Sequence, residues 1–284
     1  MTSALTADTV RAEDRAVLSL QRTPAALHAV EDLDAGPGVP ALRVYRPRPG
    51  PLRAVLFLHG GGFVIGREGY EAPLRDLAAA GDCLLVCPAC RLAPEHPFPA
   101  AADDALAAMR WLAAHAEGLG ASPGPPGIAG DSSGGNLAAG VTHALCRDGA
   151  PPSFQLLIYP MLDATAGSPS YRAFATDHGF SADKARWYFD QYLPPGIDRR
   201  DPRVSPLFDR PVAGLPPTLV VTAERDPVRD DGERHVALLR AEGAPAELRR
   251  HAGTTHGFFQ ATGAPEGAKL HAELGDWLRE HAPG

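Results

Sequence analysis

A chain of 284 residues with 44% hydrophobic side chains holds enough apolar material for one large α/β domain, and 34 acidic against 27 basic residues give it a net charge of −7. The charges form no long runs, which argues against a nucleic-acid groove or a basic membrane patch. Met1 to Leu20 carry Asp8, Arg11, Glu13, Asp14 and Arg15 among their apolar residues, and no apolar run reaches membrane-spanning length. A cytoplasmic protein without a membrane anchor is the expectation.

In chain order, residues 1–38 read as an amphipathic helical segment, with Val10, Val17, Leu18 and Leu27 spaced for one face and a close at Gly36-Pro37-Gly38. This segment is expected to form a lid or strap. Ala41-Leu42-Arg43-Val44-Tyr45-Arg46 alternates as a half-buried strand does and is assigned to a sheet edge. The continuous apolar runs 54–58 and 84–87 suit central parallel strands, with crossover helices at 70–80 and 100–116. A strand at 127–129 leads into a helix at 133–147. Strands follow at 154–159, 218–222 and 246–250, with helices at 230–242 and 265–281. This alternation predicts a single domain, 1–284, built on a doubly wound, mostly parallel sheet flanked by helices.

Residues 163–206 interrupt the alternation. They hold Trp187, Tyr188, Phe189 and Tyr192, and an aromatic insertion of this length between core strands is expected to cover a site, forming a cap together with 1–38. An ordinary helical excursion packed on the surface is the competing account. Cys83, Cys87, Cys90 and Cys146 fit neither zinc-site spacing nor a disulfide framework and read as buried free thiols.

The chemistry centres on Gly130-Asp131-Ser132-Ser133-Gly134, a G-x-S-x-G stretch between an apolar run and a helix. Such a turn lifts a serine hydroxyl clear of the backbone and sets it over the free N–H groups of the helix start. A serine needs a base, and the base needs a carboxylate that fixes its tautomer. In this setting both are expected later in the chain, after late strands. Glu224, Asp226, Asp230 and Asp231 compete for the acid, and the loop position before Pro227 favours Asp226. His256, followed by Gly257, is favoured as base over His251 at the strand end. Among His59-Gly60-Gly61-Gly62, the N–H groups of Gly61 and Gly62 can join that of Ser133 around a developing oxyanion. A phosphate cradle would need a lysine-bearing loop or Rossmann spacing, which these glycines lack.

Together, His59-Gly60-Gly61-Gly62-Phe63, Arg91-Leu92-Ala93-Pro94-Glu95-His96-Pro97-Phe98-Pro99-Ala100, Gly130-Asp131-Ser132-Ser133-Gly134-Gly135-Asn136, Asp226-Pro227-Val228-Arg229-Asp230 and His256-Gly257-Phe258 resemble the motif series of the bacterial hormone-sensitive-lipase family of esterases, in family order. The resemblance implies an α/β-hydrolase fold with a helical cap and hydrolysis of short-chain carboxylic esters without metal or organic cofactor. It matches Ser132 to the nucleophile, Asp226 to the acid and His256 to the base, and gives His59, Arg91 and Glu95 structural roles. Departures from the family pattern are Cys90, where tyrosine is common, Ser133, where alanine is common, and a short N-terminal segment. A substrate pocket is expected from Phe63, Trp187, Tyr188, Leu207 and Phe258. The resemblance also allows a homodimer through the sheet edge near 246–250. Rival readings are a deacetylase or amidase using the same triad, a non-catalytic ligand receptor on this scaffold, and, weakest, a metal hydrolase, for which no H-E-x-x-H pattern exists.

Overall fold

The apolar runs assemble into one eight-stranded sheet in a computed structural model that describes residues 5–176, 179–209 and 214–281. The strands are β1 (Ala29–Leu33), β2 (Leu42–Arg46), β3 (Arg53–Leu58), β4 (Cys83–Pro88), β5 (Gly127–Asp131), β6 (Gln155–Ile158), β7 (Thr218–Arg225) and β8 (Ala246–Thr255). Their order is β1-β2-β4-β3-β5-β6-β7-β8; β1 and β2 pair antiparallel, and the strands from β4 to β8 are parallel. Strands buried on both faces need apolar residues at every position. In β3, Leu56 and Leu58 join a core shared with α3 (Ala100–His115), α4 (Ser133–Arg147) and α7 (Arg229–Ala241). Val55 and Phe57 point the other way, into a core shared with α2 (Glu71–Gly81) and α8 (Pro265–His281).

Parallel strands bring their carboxyl ends to one edge, so the loops after β3, β5, β7 and β8 gather there. The register fixes their heights: Leu58 pairs with Gly130, Asp131 with Ile158, and Ile158 with Val221. Strand β8 runs five residues beyond the expected 246–250, with an irregularity against β7 between Ala223 and Arg225. His251 therefore lies within the strand, while His256 is the first residue past its end.

The N-terminal expectation fails in part. Only α1 (Ala7–Asp14) is α-helical; a 3₁₀ turn spans Arg15–Leu20, and the chain then runs extended into β1. Pro24 bars the expected helix from running on through 1–38, because proline removes a helical donor and pushes Thr23 toward extended backbone. Val10 is buried and Leu18 is 47% exposed; the side chain of Val17 lies outside the described residues. Residues 29–33 belong to the sheet rather than to a lid, and they displace β2 from the edge, where it was expected. The 163–206 stretch holds α5 (Pro169–Ala173) and α6 (Ala182–Tyr192). Among the described residues no helix is long and apolar enough to cross a membrane.

Candidate active site

Between β5 and α4 the chain reverses in a single residue. Ser132 sits at φ 53°, ψ −119°, a strained backbone that persists only where its surroundings hold it. Gly134 makes the turn sterically feasible, since a Cβ there would collide with the Leu58 carbonyl of the adjacent strand. The Ser132 N–H bonds the Ile158 carbonyl at 2.9 Å, and the Ser132 carbonyl accepts from Asn136 and Met161 at 3.2 and 3.1 Å. Asn136, the sole asparagine, donates its side-chain amide to the carbonyls of Met161 and Val204 at 2.7 and 2.8 Å. It thereby ties the helix that carries the serine to both ends of the insertion.

Ser132 Oγ lies 2.8 Å from His256 Nε2, and His256 Nδ1 lies 2.7 Å from Asp226 Oδ2. With Nδ1–H donating to the carboxylate, Nε2 is left to accept from the serine hydroxyl. Asp226 is fully buried, and its other oxygen accepts the Val228 N–H at 3.0 Å. The competing acids are engaged elsewhere. Glu224 accepts the Gly253 N–H at 2.7 Å, Asp230 accepts the Ser170 N–H at 2.8 Å, and buried Asp231 accepts from Leu162 and Tyr171. His251 faces Glu273 at 3.3 Å, and burial lowers its pKa.

The glycine loop crosses directly over this array. Gly61 and Gly62 line the same cavity as Ser132, and Ser133 opens α4, where backbone N–H groups have no intrahelical acceptor. At Gly62, φ is +62° and a Cβ would enter the ring of Tyr188, so only glycine fits. The Ser133 hydroxyl accepts the Phe63 N–H at 3.1 Å and so fastens the end of the loop to the start of the helix. His59, its pKa lowered by burial, bonds the Gly60 carbonyl through Nδ1 at 2.8 Å.

Beneath the loop lies Asp131, which the sequence reading passed over as the variable residue of the serine motif. Its Oδ1 accepts the Gly60 N–H at 2.8 Å, and its Oδ2 accepts from Tyr70 at 2.8 Å and Tyr159 at 3.3 Å. Burial pushes the carboxyl up to about 6, against the opposing pull of Tyr70, Gly60, His256 and Tyr159.

A cavity of about 320 Å³ opens over Ser132 and His256, with Tyr188, Phe180, Lys184, Gln260 and Asp14 on its walls. A larger one of about 590 Å³ lies under α1 and shares Asp14 and Ile65 with the first. Arg11 holds α1 in place through a bidentate bond to Glu95 at 2.8 Å and a bond to the Val64 carbonyl at 2.9 Å. The Arg11 guanidinium holds the Glu95 carboxyl down to about 2. Arg91 instead clamps Asp104 of α3 at 2.7 Å.

A family model described as the alpha/beta hydrolase fold matches residues 55–260. The chain belongs to this family. The hydrolase is 40% identical over 262 residues to the carboxylic ester hydrolase LipN of Mycobacterium tuberculosis, covering 88% of this chain and 69% of that one. It is 36% identical to the ethyl acetate hydrolase of Pseudomonas putida, over 77% of this chain and 71% of the other. Among solved structures, an esterase of Pyrobaculum calidifontis superposes with a TM-score of 0.90 at 37% identity, over 98% of this chain and 95% of that one. These relatives agree with the hormone-sensitive-lipase resemblance carried by the five motifs.

Of the five pocket residues expected in the hydrolase, Tyr188 alone lines the cavity over Ser132. Phe63 is buried against Tyr192, their rings stacked at 3.8 Å, and Leu207 is buried in a 3₁₀ turn. Trp187 meets Tyr188 edge-on at 5.3 Å from outside, one helical position around. Phe258 packs beneath the site against Tyr159 at 5.7 Å and His251 at 5.2 Å. Sequence reasoning missed Asp131, Tyr70, Tyr159 and Phe180, the last three brought to the site by contacts distant along the chain. Only the place of Asp131 beside the candidate nucleophile gave a local signal.

Proposed function

We propose that this hydrolase is a serine carboxylesterase that cleaves short-chain carboxylic esters through an acyl-enzyme on Ser132. The observation that carries the reading is the relay of 2.8 Å from Ser132 Oγ to His256 Nε2 and 2.7 Å from His256 Nδ1 to Asp226. As Oγ bonds the ester carbonyl carbon, its proton passes to Nε2, and Asp226 steadies the imidazolium. The oxyanion is received by the N–H groups of Gly61, Gly62 and Ser133, each such donor contributing about 3 kcal/mol to the transition state. The imidazolium then protonates the departing alkoxide. A water molecule, deprotonated by His256, releases the acid.

The N-terminal segment through Leu20 and the 163–206 insertion act as the cap. The Lys184–Glu13 ion pair at 3.5 Å, which joins the two, supports that assignment. The cavity of about 320 Å³ and the relative named for ethyl acetate hydrolysis both favour small acyl groups. Strand β8, with a single neighbour in the sheet, offers an edge for a homodimer.

The test is a series of p-nitrophenyl esters from acetate to palmitate. Greatest kcat/KM is expected at acetate to butyrate, with loss of activity in Ser132→Ala. A maximum at palmitate, or full activity in Ser132→Ala, overturns the proposal. Matched ester and amide substrates separate the esterase from an amidase using the same residues.

A further inference from the structure

We infer that Phe180, on the insertion, is a positioning residue for the base, its ring a π-face reserved for the charged form of His256. The two rings lie nearly parallel, with centroids 3.9 Å apart and planes 16° from coplanar. Tyr188 in turn lies beside Phe180, centroids 6.3 Å apart and planes 25° from parallel, and the Tyr188 ring occupies the space a Cβ on Gly62 would need. Two rings of one insertion thus bracket the reacting centre, one on the base and the other on the oxyanion glycine. Tyr159 also meets the imidazole, at 4.6 Å and a 51° tilt, so the base is framed by aromatic surface.

The inference rests on the acyl-enzyme reading above. When Ser132 Oγ bonds the carbonyl carbon, the hydroxyl proton moves to Nε2: the ring gains one positive charge and the carbonyl oxygen one negative charge. A cation over an aromatic face within about 6 Å is attracted by the ring quadrupole, and the attraction grows when water is excluded. A neutral imidazole in the same place gains only packing. Phe180 therefore favours the tetrahedral state over the ground state, and an interaction of that kind acts on kcat rather than on KM.

The experiment compares two inhibitors of the same carbon skeleton. A trifluoromethyl ketone adds Ser132 Oγ and leaves an imidazolium beside an oxyanion, whereas the unactivated methyl ketone binds without addition. In Phe180→Leu, which keeps apolar cover but removes the π-face, the inhibition constant for the trifluoromethyl ketone is expected to rise roughly 3- to 10-fold. That for the methyl ketone should stay within about twofold, and kcat should fall with little change in KM. Phe180→Tyr should match the wild type. Inhibition constants do not depend on how much of a variant preparation is active. Equal weakening of both ligands in Phe180→Leu, no weakening of either, or failure of Phe180→Tyr to restore binding overturns the inference. A wild type that fails to distinguish the two ligands sinks the acyl-enzyme reading itself, and with it this inference.

Discussion

Replacing Asp131 by asparagine isolates the effect of the charge buried beneath the glycine loop. Asp131 is 1% exposed, and burial lifts its carboxyl from the ordinary 3.8 to about 6. Below about pH 3 the carboxyl is protonated in folded and unfolded chains alike, and no penalty exists. Between the ordinary 3.8 and about 6 the unfolded chain has released a proton that the folded chain still holds, so stability falls as the pH rises and levels off once the buried carboxyl also ionises. A gap of about 2 pH units at 1.36 kcal/mol per unit makes that loss about 3 kcal/mol. Asparagine keeps a carbonyl for the Gly60 N–H and does not titrate. The stability of the wild type minus that of Asp131→Asn is therefore expected to fall by about 3 kcal/mol between pH 3 and pH 7, with most of the change between about pH 4 and pH 6. Urea unfolding followed by tryptophan fluorescence at half-unit intervals measures it. A difference that stays constant with pH, or that grows as the pH rises, refutes the reasoning.

Asp226→Asn keeps an acceptor for the Val228 N–H but removes the carboxylate that fixes the His256 tautomer, so kcat is expected to fall by about 10³- to 10⁴-fold with KM little changed and native circular dichroism; steady-state kinetics on p-nitrophenyl butyrate decide this. Gly62→Ala drives a Cβ into the Tyr188 ring at a residue with φ +62°. A fall in kcat of about 10²-fold or more with native circular dichroism is expected, because a displaced loop loses an oxyanion donor.

The elbow was legible because its signal is local: Gly134 must pass against a carbonyl of the next strand, and Ser132 must sit where strand becomes helix. Asp226 and His256 were legible by position, each just beyond a late parallel strand. Strand β1 was not, because Ala29-Val30-Glu31-Asp32-Leu33 has a weak strand pattern and owes its conformation to pairing with β2 and to the Arg43–Asp32 ion pair. Tyr188 lines the cavity and its neighbour Trp187 does not, since adjacent residues on a helix point about 100° apart, a difference that composition alone does not carry. Tyr70 and Phe180 reach the site through tertiary contacts that no spacing encodes, and the same holds for the partners that give Asp131 its role.

Covalent modification of Ser132 by an electrophilic phosphonate, helped by His256, tests the nucleophile and base most directly. Intact-protein mass spectrometry after brief exposure to a p-nitrophenyl phosphonate, followed by peptide mapping, measures it. A single adduct on the peptide containing Ser132 is predicted, absent in Ser132→Ala and formed at least 100-fold more slowly in His256→Gln, as expected for loss of the general base. Labelling at another residue, or labelling of Ser132 at an unchanged rate in His256→Gln, contradicts it.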